Sequence, residues 1–269
     1  MGNGCCTESK LDPNVEVSGG IRKMKHEVSV EETRAIKEIE VTPQDVESFN
    51  RGPSDFFSLN DKILNLITKH PISNLNIEDK SVPFKKLIVR GMSSRDYKYF
   101  GQFQNAQRDG TGQIYFFDGA NYNLYFNKAG HPYKMFTGGE FVCAKFKSDL
   151  LEGQGVAYFP DGTYFEGTYA LGEPKKGKLI FSTGQTYEGT FKDYMFHGKG
   201  QLTFADGRKY VGEFSKGYFE GFGRLVFVSN AWYEGNWKES ILYGKCARRN
   251  MYGLIEDLNL PKETALTAD

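Results

Sequence analysis

Residues that carry chemistry are scarce in this 269-residue chain. The four histidines, His26, His70, His131 and His197, are scattered. The four cysteines fall as an adjacent pair, Cys5-Cys6, and the isolated Cys143 and Cys246, without the CxxC or Cys/His spacing of a zinc site. No metal and no cofactor is expected from such a set. A secretory signal and a long apolar run are both missing, so the chain is expected to face a reducing cytosol. Charge of one sign is missing too. Lys and Arg number 34 against 34 Asp and Glu, which gives no reason to expect nucleic acid as a partner. What the chain does have is 31 glycines and 15% aromatics, more than a generic core asks for.

Those residues recur with a period. Tyr187-Glu-Gly189-Thr-Phe191, Tyr210-Val-Gly212-Glu-Phe214 and Tyr233-Glu-Gly235-Asn-Trp237 follow one another every 23 residues. Eleven residues past the glycine of the first two come His197-Gly-Lys-Gly200 and Glu220-Gly-Phe-Gly223. Such a period marks one supersecondary unit that needs its neighbours to be stable. Within a unit, Tyr187, Gly189 and Phe191 alternate with Glu188, Thr190 and Lys192, the period-two pattern of a half-buried strand. Leu202 and Phe204 mark a second strand, with a glycine-containing turn predicted between the two. Asp206-Gly207 supplies the turn into the next unit, since Asp-Gly tolerates positive φ. Hairpin after hairpin gives an antiparallel meander. The glycine in mid-strand implies that a ring or a neighbouring backbone lies against it.

Tyr-x-Gly-x-aromatic, then Gly-x-Gly, then Asp-Gly resembles the MORN (membrane occupation and recognition nexus) repeat, over roughly Tyr99 to Gly244. The resemblance implies an all-β repeat fold: an elongated single-layer antiparallel meander of hairpins, curled into a groove. It implies little about function, because such repeats are attached to many different proteins. A kinase or methyltransferase domain, which some MORN proteins carry, does not fit in the segments left over.

The amino terminus reads Met1-Gly2-Asn3-Gly4-Cys5-Cys6-Thr7 and resembles an N-myristoylation signal, with Cys6 where Ser or Thr is preferred. Gly2 would carry myristate, and Cys5 and Cys6 would carry palmitate. One such chain holds a protein on a bilayer only marginally, and a second makes anchoring stable. Residues 1–27 are thus expected to be a lipid anchor and tether. Residues 28–83 read as a short helical region. Ser29-x-x-Glu32 is a capping box ahead of a helix over Glu31–Glu40. Thr42-Pro43 caps Gln44–Phe49. Asp61–His70 brings Ile63, Leu66 and Ile67 to one face before Pro71.

The repeat sheet is expected over residues 84–244. Residues 84–92 would be its opening strand, covering the first edge. Tyr99-Phe-Gly101-Gln-Phe103 is the first repeat, and Tyr122-Asn-Leu124-Tyr-Phe126 a degenerate one. Gly139-Glu-Phe141 would open another, with five extra residues around Lys145–Leu151 forming a protruding loop. Phe165-Glu-Gly167-Thr-Tyr169 resumes the rhythm. Residues 245–269 are expected to be a small cap, from an amphipathic Met251–Leu260, followed by a loose tail from Pro261.

No catalytic constellation emerges. His197 sits at the usual His-Gly position of the repeat, Cys143 and Cys246 read as buried thiols, and Gly-x-Gly opens a strand where a phosphate loop needs a helix. The chain is therefore not expected to be an enzyme. The candidate site is a row of rings: Phe165, Tyr169, Tyr187, Phe191, Tyr210, Phe214, Tyr233 and Trp237, joined by Leu202, Phe204, Leu225 and Phe227. Left open, they would form a groove for a partner helix or extended peptide, with about eleven strands making a surface on the order of 50 Å long. The expected function is a scaffold tethered by acyl chains to the cytoplasmic face of a plasma or ciliary membrane. The alternatives are a structural subunit of a larger cytoskeletal complex, axonemal or cortical, and a phosphoinositide-binding module. Against the last stand Glu166, Glu188, Asp193 and Glu213, which interleave with Lys175, Lys176, Lys192, Lys199, Arg208 and Lys209.

Overall fold

The computed structural model describes residues 35–72, 77, 79–90, 96–116, 139–260 and 266–267. The chain divides into two units, Met1–Glu31 and Glu32–Asp269. Every described residue lies in the second. The lipidation positions Gly2, Cys5 and Cys6 and the degenerate unit Tyr122–Phe126 lie outside the described residues.

Fifteen strands stand side by side in chain order, each antiparallel to the next. They are β1 (Ala35–Ile39), β2 (Phe84–Arg90), β3 (Tyr97–Gln104), β4 (Gln107–Phe116), β5 (Phe141–Lys147), β6 (Leu150–Tyr158), β7 (Tyr164–Ala170) and β8 (Glu173–Ile180). There follow β9 (Thr186–Lys192), β10 (Met195–Thr203), β11 (Lys209–Ser215), β12 (Tyr218–Val226), β13 (Trp232–Lys238), β14 (Ile241–Arg249) and β15 (Ile255–Leu260). A two-residue strand β16, Leu266–Thr267, pairs with Ile241 and Leu242 of β14. The predicted meander is present, and it is an open sheet.

The turns sit elsewhere than predicted. The unit turns back at Asp193-Tyr194, both with positive φ, 50° and 62°. Asn105-Ala106, Ser148-Asp149 and Glu239-Ser240 repeat this pair of left-handed residues. That geometry matches the right-handed twist of the flanking strands. The Gly-x-Gly is inside the return strand, where the register shifts between His197 and Gly200. Gly198, at φ +64°, makes the bulge. Gly200 lies flat beneath the Tyr187 ring: a Cβ there would come within 2.6–2.8 Å of it. Asp206-Gly207 is a turn as expected, closed by Gly207 N–H donating to the Phe204 carbonyl at 3.0 Å.

Four further expectations are corrected. Residues 35–39 are a strand where the capping box predicted helix; Ile36 pairs with Val89 and Lys37 with Ile88. A helix that short is marginal alone, whereas β2 offers a ready row of backbone partners. The 84–90 strand is consequently the second and not the edge. No loop protrudes at 145–151: β5 and β6 meet at Ser148-Asp149, and Ala144 pairs with Gly112 and Gly155. Ala144 is thus the mid-strand residue of that repeat, eleven before Gly155, with Val142 at the leading aromatic position. With Val142 in place of the leading tyrosine, the site takes the Ala144 methyl group, which is fully buried. At the far end the strand continues past Gly244 to Arg249, and the expected cap contains β15, which extends the sheet.

The other two expected helices are present. α1 (Pro43–Ser48) starts at Thr42, whose side chain accepts from Asp45 N–H while Asp45 accepts from Thr42 N–H. α2 (Asp61–Lys69) is capped by Asn60. With the 3-10 turns Phe49–Arg51 and Asp55–Phe57 they lie on one face of the early sheet. There Phe49, Phe57 and Ile63 are buried against Phe100, Phe141, Cys143, Val156, Tyr158 and Tyr164.

Candidate functional site

The opposite face carries the rings. Tyr187 stacks on Phe196 with centroids 3.7 Å apart and planes 9° apart. One repeat on, Tyr210 stacks on Phe219 at 3.6 Å and 3°. Each stacked pair is met edge-on by the next forward strand: Phe214 stands 5.1 Å from Tyr187, and Trp237 5.6 Å from Tyr210. The T-shaped contacts are the arrangement that ring quadrupoles favour. The polar ends are satisfied inside. Tyr187 Oη donates to the Thr190 carbonyl at 2.8 Å, Tyr210 Oη to the Glu213 carbonyl at 3.1 Å, and Trp237 Nε1 to the Gly223 carbonyl at 2.9 Å. Burial pushes both phenols well above the ordinary tyrosine range.

This ladder is closed. Phe165, Tyr187 and Tyr210 are 0% exposed, Trp237 1%, Phe214 2%, Phe191 4% and Tyr169 5%. Tyr233 is half-buried against Phe227. Leu202 and Leu225 are buried with them and Phe204 nearly so. The eight residues expected to line an open groove are brought together on one face, but as core. Phe196 and Phe219, which sequence reasoning missed, fill the space between rows. Their signal was available: each lies nine residues after the leading tyrosine, as Leu242 does after Tyr233. They were overlooked because the return strand was started too late.

The other face has two halves. Over β3–β7 the α1–α2 segment covers it, and polar side chains fasten it down. Gln113 Nε2 donates to the carbonyls of Phe49 (3.2 Å) and Gly52 (3.0 Å). Tyr158 Oη donates to the His70 carbonyl at 2.7 Å, and the His70 ring stacks on Tyr164 at 4.4 Å. Burial and the nearby Lys69 and Lys178 push the His70 imidazole below its usual pKa. Lys86 reaches Asp45 at 2.6 Å and holds that carboxyl below the usual carboxylate range. A cavity of about 410 Å³ beside them is lined by Asp45, Asp55, Phe56 and Lys86. Its ammonium, on Lys86, is paired with the Asp45 carboxylate.

Over β9–β15 the same face lies open among the described residues. Val211 is 49% and Phe222 55% exposed. Arg224 lies 4.5 Å over the Trp232 ring and pairs with Glu234 at 2.6 Å. Charges alternate across the strands: Lys178 stands opposite Glu166 and Glu188, Lys199 opposite Glu213. Arg208 is held by Asp206 at 2.6 Å. Cys143 and Cys246 are buried, and burial pushes both thiols up. His197 is half-buried in the bulge, its carbonyl accepting from Thr190 Oγ1. No group of three or more His, Cys, Asp or Glu among the described residues could hold a metal ion. No helix among them is long and apolar enough to cross a membrane.

Comparison with known proteins agrees with the repeat. The MORN repeat family matches residues 99–120, 144–164, 187–207 and 210–231. The second of these starts at Ala144, within β5. No curated protein matches the chain. Among solved structures it is similar to the wild-type TCP10 domain of Danio rerio CPAP, at 12% identity over 72% of this chain and 94% of that one, with a TM-score of 0.23. A point mutant of that domain matches at 13% identity over 68% of this chain and 92% of its own, TM-score 0.22. At such scores the likeness says nothing of function.

Proposed function

We propose that this MORN-repeat protein is a binding scaffold with no chemistry of its own, held on a cytoplasmic membrane face by acyl chains on Gly2, Cys5 and Cys6. The observation that carries the scaffold reading is how the rings are used. Tyr187, Tyr210 and their neighbours are consumed in holding the sheet, with both of these phenols bonded to a carbonyl of their own unit. A partner therefore meets the sheet elsewhere. The face that takes α1 and α2 in cis over β3–β7 continues across β9–β15, uncovered among the described residues, with Val211, Phe222 and Trp232 on it. The partner we infer is an amphipathic helix of another protein, because a helix is what the covered half of that same face accepts.

The tether reading rests on the Met1–Thr7 pattern and on the arithmetic of anchoring, in which one acyl chain is marginal and two are stable. Fractionation of cells expressing the wild type and Gly2→Ala tests it. Loss of the variant from the membrane fraction is expected; equal recovery would sink the tether. Equal recovery together with retention in a detergent-insoluble cytoskeletal fraction would favour the structural-subunit reading instead. For the surface, Val211→Glu with Phe222→Glu should abolish partner capture by the full chain without lowering its melting temperature.

A further inference from the structure

The segment that crosses the early sheet is not held evenly along its length. Before α2 it is deep and well tied. Phe49 and Phe57 are buried. Gln113 reaches the carbonyls of Phe49 and Gly52, and Lys98 Nζ donates to those of Phe56 (2.8 Å) and Phe57 (3.4 Å). Ser58, left-handed at φ 51°, then bends the chain towards α2. The nine-residue α2 lies against β6 and fully buries a single side chain, Ile63. Leu66 and Ile67 are half-buried, and Leu64 is exposed. At its end the sheet grips only a main-chain carbonyl, through Tyr158, and a flat ring, through Tyr164. The surface beneath α2 has no match on the open half. The residues before and after the leading position of a repeat are Phe141 and Cys143 there, but Thr186 and Glu188, Lys209 and Val211, or Trp232 and Glu234 further on. In the same register Tyr158 is replaced by Thr203, Val226 and Arg249.

We infer that α2 is an exchangeable lid: it fills in cis the apolar helix site formed by Val156, Tyr158 and Tyr164, and a partner's amphipathic helix displaces it there. That the physiological partner is a helix rests on the function proposed above. The lid can leave cheaply. It is joined to the well-tied stretch through the bend at Ser58, and no strand pairing breaks when it swings out. A helix this short has little stability of its own, so α2 regains chain freedom once it leaves the sheet. What it vacates is more apolar than anything on the open half, which gives an incoming helix the stronger footing of the two. The cis helix is present at an effective concentration on the order of millimolar. A partner displaces it by making more contact, running from the vacated site onto the open half. The lid thus sets a threshold that weak or short helices do not pass.

The test is fluorescence anisotropy of a dye-labelled peptide of residues 59–72 titrated with the full-length chain. The wild type, its site already filled, should take up little peptide. Ile63→Asp in the chain removes the buried anchor of the lid and leaves the site intact, and should bind the peptide about tenfold more tightly than the wild type. His70→Ala loosens the lid while sparing every fully buried anchor, so it keeps the sheet folded even where Ile63→Asp does not; about threefold tighter binding is expected. A peptide that itself carries Ile63→Asp should bind neither variant. Both variants binding no more tightly than the wild type, or the altered peptide binding as well as the native one, would overturn the lid. Val211→Glu with Phe222→Glu, added to either variant, should leave peptide uptake unchanged. Loss of uptake there would put the peptide on the open half and overturn the lid too. The peptide readout therefore separates a failure of the lid from a failure of partner capture at β9–β15.

Discussion

At the scale of the residue, the sheet depends on the fit between a tyrosine ring and two glycines. Gly189 and Gly200 face each other beneath Tyr187, and a Cβ on Gly200 would sit 2.6–2.8 Å from the ring. Gly200→Ala forces the ring off its stack with Phe196 and should cost about 1–3 kcal/mol, the usual range for an overpacked core. Gly155 is the control. Its neighbour across the strand is Ala144, and the Cβ it lacks would lie 2.7 Å from the Ala144 methyl and 2.9 Å from the Tyr169 ring. Ala144→Gly should therefore relieve part of the cost of Gly155→Ala in a double variant, the Tyr169 contact remaining, whereas no such rescue exists at Gly200. Urea denaturation of the four proteins checks this; additive effects at 144 and 155 would contradict it. The pattern Tyr-x-Gly-x-Phe was legible in the sequence because each residue type has one physical reason to recur. Ala144 was not: with Val142 in place of the tyrosine the glycine requirement relaxes, and the motif shifts out of sight to Gly139.

At the scale of the element, the hairpins were legible and their ends were not. Left-handed turns normally announce themselves by Asn-Gly or Asp-Gly. Here Asp193-Tyr194 and Ser148-Asp149 adopt them without glycine, while the conspicuous Gly198-Lys-Gly200 is a bulge inside a strand. Ala35–Ile39 misled for a related reason, since a local capping signal lost to the free edge of β2. Docking of α2 on the sheet was beyond the sequence, because it depends on Tyr158 and Tyr164, about ninety residues away. That docking should respond to pH. The His70 pKa is lowered in the folded state from an ordinary value near 6.5. The fold therefore favours neutral His70: its stabilising effect is complete above about pH 6.5 and is lost as pH falls from there through the lowered folded value. Hydrogen exchange of residues 61–69 should quicken between about pH 7 and 5.5 after correction for intrinsic rates, and His70→Gln should remove that excess. A variant with the same pH response as the wild type would place the effect elsewhere.

At the scale of the molecule, fifteen strands pair in chain order, each with the strands beside it, so stability is passed along the sheet. The ring ladder links one repeat to the next, since Tyr187 touches Phe214 and Tyr210 touches Trp237. The fold class could be read from the 23-residue period. What the face of rings is for could not, because period-two alternation shows that a face is apolar and not what covers it. Stacking of Phe196 and Phe219 between the forward-strand rings decides that point. Hydrogen exchange on the full-length Tyr210→Ala variant tests this account most directly. Deleting a core ring should cost about 3–5 kcal/mol and weaken protection across β9–β13, on both sides of the altered strand. Wild-type stability and protection in that variant would mean that Tyr210 lies free in a groove, and would contradict the closed ladder.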